Sequence, residues 1–387
     1  ALYFGGILRY DPENPNHPKR DRVVIRGHLG PLRYNIFSML GLVDPEELKT
    51  YRSLGSRLAG HEDMNLVPGI DITPSGSLGM VLSYGVGSAI VAKHRCLDFR
   101  TFVFIGDGEE QEGNISEAAR HASNLGLENL VVVIDKNKKQ LYQETENVDS
   151  ASDVYKIWEG YGWNVIPVDD GHSIDEILEA YQEAISYSRG PSVIIAETVK
   201  GNGLPGVEES KNGYHTLSSF DISRFGEAFD TQSRLLESLG VDQKSIEKWI
   251  DQNIRMVKPE GETYFPQIGL PNVDIISPKK FPPRLQYNLF PYFDEFVSLV
   301  QESGYSVYTL VPDNIIPPAL KHHSDTVFST DPGIRAQHMM ACGHGIATSD
   351  PNSQVVLISH DAFLYRSADQ MKVSTQEDRN IVFISLY

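Results

Sequence analysis

Four short β-branched runs punctuate the first half of the chain: TFVFIG (101–106), LVVVID (130–135), NVIPVD (164–169) and SVIIAET (192–198). Each is continuously apolar rather than alternating, the pattern of strands covered on both faces of a parallel sheet. Helical periodicity fills the spaces between them. Residues 115–125 place Ile115, Ala118, Ala119, Ala122 and Leu125 on one face, with Gly126 as the stop. Residues 173–188 open with a Ser173–Glu176 capping box, and Ile174, Ile177, Leu178, Tyr181 and Ile185 form the apolar stripe. Strand and helix in alternation predict an α/β fold with helices on both faces of a parallel sheet.

Residues 226–285 break the pattern. Two amphipathic segments (226–239 and 243–254) run into a Pro- and Gly-rich stretch ending KKFPPR, which reads as a linker. The alternation then resumes. Helices are expected at about 290–303, 333–346 and 363–372, and strands at 306–311 and 354–359, with NIVFISLY as a last strand. The organisation predicted is therefore a first α/β domain over 1–225, a linker with helices over 226–285, and a second, apparently incomplete α/β domain over 286–387.

Composition narrows the partners. The chain has 387 residues, 40% of them hydrophobic, enough to bury two cores. A formal net charge of −18 without a basic run argues against nucleic acid or an anionic membrane as partner. No apolar stretch approaches the roughly 20 residues of a membrane span. The opening ALYFGGILRY shows no charged leader, and Cys96 and Cys342 lie far apart, each in an apolar or helical stretch. They read as packed, reduced thiols of a cytoplasmic protein.

The segment FVFIGDGEEQEGN (102–114) carries the candidate chemistry. Asp107 stands at the carboxyl end of an expected strand, where open α/β sheets bind ligands. Gly106 and Gly108 permit a sharp turn and a close approach of backbone N–H groups to a phosphate. A carboxylate there would repel phosphate unless a hard cation such as Mg²⁺ lay between them. Asn137, just past the next strand, and the backbone carbonyl of Lys139 supply further oxygen ligands. Glu109, Glu110 and Glu112 have a simpler reading as acids favoured in a first helical turn, with Glu112 close to the ligand end. Neither a Walker loop nor a G-x-G-x-x-G stands at this segment, which argues against a Mg²⁺–nucleotide protein.

These residues resemble the transketolase family. GDGEEQEGNISEAARHASNLGLENLVVVIDKNKKQ is similar to its thiamine diphosphate signature. RYDPENPNHPKRDRVVIRGHLGPLRY, PGIDITPSGSLGMVLSYGVGSAIVAK and TVKGNGLPGVEESKNGYH resemble other blocks of its diphosphate-binding domain, together covering most of residues 5–220. Residues 286–387, with DAFLYRSADQM, resemble more weakly the start of its pyrimidine-binding domain. The resemblance implies thiamine diphosphate and Mg²⁺ (or Ca²⁺) as cofactors, the metal held by Asp107, Asn137 and the Lys139 carbonyl. It places Gly106 and Gly108 at the diphosphate, Gly76, Leu78 and Gly79 along the cofactor, and Phe363 against its aminopyrimidine ring. It assigns His28, His61 and His215 to substrate hydroxyls and proton transfer, work suited to groups that titrate near neutrality. His17, His94, His121, His322 and His323 are expected at the surface. The reaction implied is transfer of a two-carbon ketol unit from a ketose, such as a sugar phosphate, to an aldose. FLYRSADQ leans towards relatives that use a 2-oxo acid, deoxyxylulose-phosphate synthase or a decarboxylating E1 component.

One position departs from the family. A glutamate that bonds the pyrimidine N1′ belongs to a G-x-x-E segment, which here reads DPGIRAQHMMACGHGIA, with Ala336 in the glutamate's place. An engineered change, a natural variant and a shifted alignment that puts Gln337 in the position are all open at this point. The family's active sites form between two subunits, so a homodimer or an assembly with a second, completing subunit is expected, and a catalytically silent cofactor-binding subunit is a further reading. The resemblance begins inside the family's first domain and stops halfway through its second.

Overall fold

The computed structural model describes residues 1–73, 77–141, 143–203, 230, 234, 238, 255–260, 290–313, 316–317, 320–321, 324–377 and 379–386. The first half holds a five-stranded sheet. Its strands are β2 (Arg22–Ile25), β3 (Thr101–Gly106), β4 (Leu130–Lys136), β5 (Asn164–Val168) and β6 (Ser192–Glu197), all parallel in the order β2-β3-β4-β6-β5. The second half holds a four-stranded parallel sheet of β8 (Ser306–Leu310), β9 (Val327–Thr330), β10 (Ser353–His360) and β11 (Ile381–Leu386), in the order β11-β10-β8-β9. A small parallel pair, β1 (Gly5–Arg9) with β7 (Arg255–Val257), stands apart.

The helices with described bounds are α1 (Gly30–Met39), α2 (Val81–His94), α3 (Asp107–Glu110), α4 (Gly113–Asn124), α5 (Thr145–Val148), α6 (Val154–Gly160), α7 (Ile174–Ser186), α8 (Phe290–Glu302), α9 (Ala336–Ser349), α10 (Asp361–Arg366) and α11 (Ala368–Gln376). Only half of the expected capping box forms at α7: Ser173 Oγ accepts from the Glu176 amide, while the Glu176 carboxylate accepts from the Asp170 amide instead of the Ser173 amide. Helix α2 has no polar face, and its residues 81–92 are all buried. Such a helix must be covered all round. One side packs on β2 and β3, and another meets α9, which itself packs on β10. The two sheets therefore share a core, in which Val103, Ile105 and Val132 of the first join Tyr308, Leu310 and Leu357 of the second.

Several expectations need correction. The helix expected at 363–372 is two helices, α10 and α11, separated at Ser367, whose hydroxyl bonds the Phe363 carbonyl and competes with the helical ladder. The helix expected from 333 begins at Ala336, because Gly333 takes φ +75° in the turn that precedes it. Strands β2 and β9 are only four residues long and were not legible by pattern. His121 is fully buried, not at the surface, because the second sheet's elements cover its side of α4. His94 is half-buried against Tyr308 and Phe328. Cys96 is exposed, at φ +52° just after α2, whereas Cys342 is buried as expected. The boundaries placed at 225 and 285, the amphipathic segments over 226–239 and 243–254, and His322 and His323 lie essentially outside the described residues.

Candidate functional site

The register of the first sheet builds the site. Gly106 at the end of β3 lies opposite Asp135 of β4, so the chain leaves both strands at one level and Asp107 comes beside residues 136–138. Asp107 is 8% exposed. Its Oδ1 accepts from the Gly108 amide (2.8 Å), and its Oδ2 from the Lys138 amide (2.6 Å) and the Thr145 hydroxyl (3.1 Å). All three donors are neutral, and among the described residues no cationic side chain pairs with it. Burial consequently pushes its carboxyl pKa up, and these hydrogen bonds offset only part of the shift.

Asn137, also buried, accepts from the Lys139 amide through Oδ1 (3.0 Å) and donates through Nδ2 to Asp135 (2.9 Å). That donation fixes its amide oxygen on the side facing away from Asp135. Lys138 takes φ +62°, which turns the chain back sharply between Asn137 and Lys139. A buried carboxylate with no direct ion-pair partner, beside an oriented amide oxygen, is a hard-oxygen donor set, and it fits a Mg²⁺-like ion. The three accepted bonds leave Asp107 one of its roughly four lone-pair positions for that ion.

A second group surrounds Gly79, which has φ +84°. A Cβ on Gly79 would lie 2.5 Å from the Glu112 Cβ, so only glycine lets this loop approach the turn into α4. The Gly79 amide donates to Glu109 Oε1 (3.0 Å), and its carbonyl accepts from Asn114 Nδ2 (2.8 Å). Glu109 is 3% exposed, and its Oε2 is buried without a hydrogen-bond partner. It is thus a structural tie between the glycine loop and α3, a role that a first-turn acid does not reveal in sequence. Leu78 stands 42% exposed beside it. Gly76 lies outside the described residues.

A third group lies past β2. The His28 and His61 rings are 6.0 Å apart, with His61 also against Gly27. Burial lowers the His28 pKa, and the nearby Arg26, His61 and Lys200 lower it further, so the imidazole is neutral at pH 7. Arg26 and Lys200 are residues that pattern reading missed. Arg26 pairs with Asp135 (2.6 Å) and fills the space behind Gly106. Lys200 is half-buried, and its pKa is lowered first by that burial and then by Arg26. His215 lies outside the described residues.

Ala336 and Phe363 belong to the second sheet. Ala336 is 8% exposed in the first turn of α9, where Glu117 Oε2 accepts from the His338 amide (2.9 Å). Phe363 in α10 has its ring 6.1 Å from that of His360. No hydrogen bond or ring contact among the described residues joins either one to Asp107 or Asn137.

Residues 1–249 match the family model described as transketolase, thiamine diphosphate binding domain. The chain belongs to the transketolase family. It is 35% identical over 240 residues to one of the subunits of the apulose-4-phosphate transketolase of Phocaeicola vulgatus, an alignment covering 62% of this chain and 83% of that one. It is 37% identical over 218 residues to the SqwG subunit of the 6-deoxy-6-sulfo-D-fructose transketolase of a Clostridium species, covering 56% and 78%. Among solved structures it superimposes on the transketolase from Leishmania mexicana with a TM-score of 0.72 at 19% identity, over 99% of this chain and 62% of that one. A Pichia stipitis transketolase variant gives 0.70 at 23%, over 98% and 62%. The parallel sheets with their covering helices are thus the transketolase fold, and the family is that of thiamine-diphosphate-dependent transferases. The chain spans about three-fifths of the length of these solved transketolases.

Proposed function

We propose that this chain provides the thiamine diphosphate and Mg²⁺ site of a transketolase-type enzyme that moves a two-carbon ketol unit from a ketose to an aldose. The observation that carries this reading is the buried Asp107 carboxylate, which makes no ion pair among the described residues, beside Asn137 at the carboxyl end of the first sheet. In this reading Asp107, the Asn137 amide oxygen and the Lys139 carbonyl hold the ion. Gly76, Leu78, Gly79, Gly106 and Gly108 line the cofactor, Glu112 closes its diphosphate end, and Phe363 packs against its aminopyrimidine ring. Bound thiamine diphosphate supplies the electron sink for the two-carbon unit.

The chain's own residues handle the protons. A neutral His28 accepts one from a substrate hydroxyl, and His61 and His215 hold neighbouring hydroxyls. The named relatives are subunits of transketolases for apulose 4-phosphate and 6-deoxy-6-sulfo-D-fructose, so a sugar carrying phosphate or sulfonate and an assembly completed by a second chain or second copy are the substrate and partner proposed. Free Cys96 and Cys342 agree with a reducing cytoplasm, and no described helix is long and apolar enough to cross a membrane.

A second reading rests on Ala336, whose methyl group can neither donate nor accept a hydrogen bond. The chain would then bind cofactor while a partner carries the chemistry. Calorimetric titration of thiamine diphosphate, with and without Mg²⁺, tests the cofactor site in both readings. Binding that needs Mg²⁺ and disappears in Asp107→Ala supports it, and no binding to folded wild-type protein removes it.

A further inference from the structure

His121 of α4 and His338 and Cys342 of α9 meet in the core shared by the two sheets. All three are fully buried. His338 and Cys342 are one turn apart on the same face of α9. His121 Nδ1 faces His338 Nε2 at 2.8 Å, and one ring nitrogen of each histidine and the Cys342 sulfur all lie within 4.8 Å of one another.

The outer nitrogens are held separately. His121 Nε2 bonds the Thr330 hydroxyl (3.1 Å), and His338 Nδ1 bonds the Ser83 hydroxyl (2.9 Å). Hydroxyl oxygens accept hydrogen bonds, so both outer nitrogens can carry the ring proton. That tautomer turns two lone pairs towards one point, beside a thiol. Hydrogen bonds to the outer nitrogens are also how histidine ligands of metals are oriented.

We propose that His121, His338 and Cys342 form a zinc site that joins the first sheet's α4 to the second sheet's α9. Two imidazoles and a thiolate match the preference of Zn²⁺, whereas Mg²⁺ requires oxygen. Three protein ligands leave one of the four tetrahedral positions open. Two nitrogens at about 2.0 Å from a tetrahedral ion stand about 3.3 Å apart, so the rings must separate by only about half an ångström. A metal takes up cysteine as thiolate, so binding would release the Cys342 proton. This site is separate from the oxygen donors at Asp107, and its occupancy does not depend on the transferase reading.

The test is cobalt substitution of the intact chain, followed by absorption spectroscopy. A thiolate–cobalt charge-transfer band in the near ultraviolet at one equivalent, displaced by Zn²⁺ and lost in Cys342→Ala, is expected. Asp107→Ala should keep the band, since an oxygen-ligated ion has no thiolate transition. His121→Leu should weaken Co²⁺ binding at least tenfold. If folded wild-type protein gives no such band, or Cys342→Ala retains it, the cluster is only a hydrogen-bonded histidine pair and the proposal fails.

Discussion

Gly87 of α2 sits directly against the backbone of α9, so that a Cβ on it would overlap the Cys342 carbonyl oxygen and come within 2.7 Å of the Ile346 amide nitrogen. The contact is reciprocal. A Cβ on Gly345 would overlap the Tyr84 carbonyl and lie 2.8 Å from the Tyr84 Cα. Two glycines thus set the crossing distance of the helices that join the sheets, and the obstacle at each is backbone, which cannot rotate away. Gly87→Ala should destabilise the protein by about 1–3 kcal/mol. Gly113→Ala, where nothing lies within 4 Å, should be neutral or mildly stabilising. Urea unfolding of both variants checks this; equal midpoints would show that α9 is not clamped on α2.

Glu62 gives the fold a pH dependence. It is completely buried beside His61, and the Arg33 Nε lies 3.3 Å from its carboxylate. Desolvation dominates, Arg33 opposes it, and Asp71 adds to it, leaving a pKa raised from 4.5 to about 7. The folded pKa is the higher one, so protonation of Glu62 favours folding. That contribution is complete below about pH 4.5 and is lost as pH rises through about 7. Its size is on the order of 3 kcal/mol. Glu62→Gln cannot ionise, so its stability relative to wild type should rise between pH 5 and pH 8. Urea titrations at both pH values read the difference; one that does not change with pH would contradict a shifted Glu62.

The sequence patterns led to the first sheet and to Asp107 because both are local. TFVFIG and LVVVID are long enough to declare themselves as strands, and a carboxylate between glycines at a strand end needs no tertiary information. Short strands such as RVVI of β2 fall below what periodicity can separate from loops. The roles of Glu109 and Arg26 were hidden for another reason. Each acts across the fold, Glu109 on Gly79 thirty residues earlier and Arg26 on Asp135 in β4. His121 shows the same limit: its place on α4 was legible, but its burial depends on the second sheet. Only folding identifies which polar side chains end in a shared core.

His28 should titrate below its ordinary 6.5, first because it is partly desolvated and then because Arg26, His61 and Lys200 repel its imidazolium. Arg26→Gln removes one of those charges and breaks the ion pair of Asp135, and both changes favour the protonated ring. The His28 midpoint should therefore rise in the variant. NMR titration of the ring protons measures it, and a midpoint unmoved by Arg26→Gln would mean that burial alone sets it.

Ala336→Glu tests whether the first turn of α9 serves the cofactor. The position is 8% exposed, and Glu117 already places a carboxylate on the amide two residues on. A new acid gains from the helix N-terminus and is opposed by Glu117, so its effect on stability should be small. Proton exchange at the reactive carbon of bound thiamine diphosphate, followed by NMR in deuterated buffer, isolates cofactor activation from turnover. A positioned acid typically contributes about 10²–10⁴-fold to such a transfer, and a rise of at least about 10²-fold is expected once a completing partner is present. If exchange stays at the wild-type rate while calorimetry shows unchanged cofactor binding, residue 336 does not address the cofactor. The reading as a binding subunit, with the chemistry carried by its partner, would then be the stronger one.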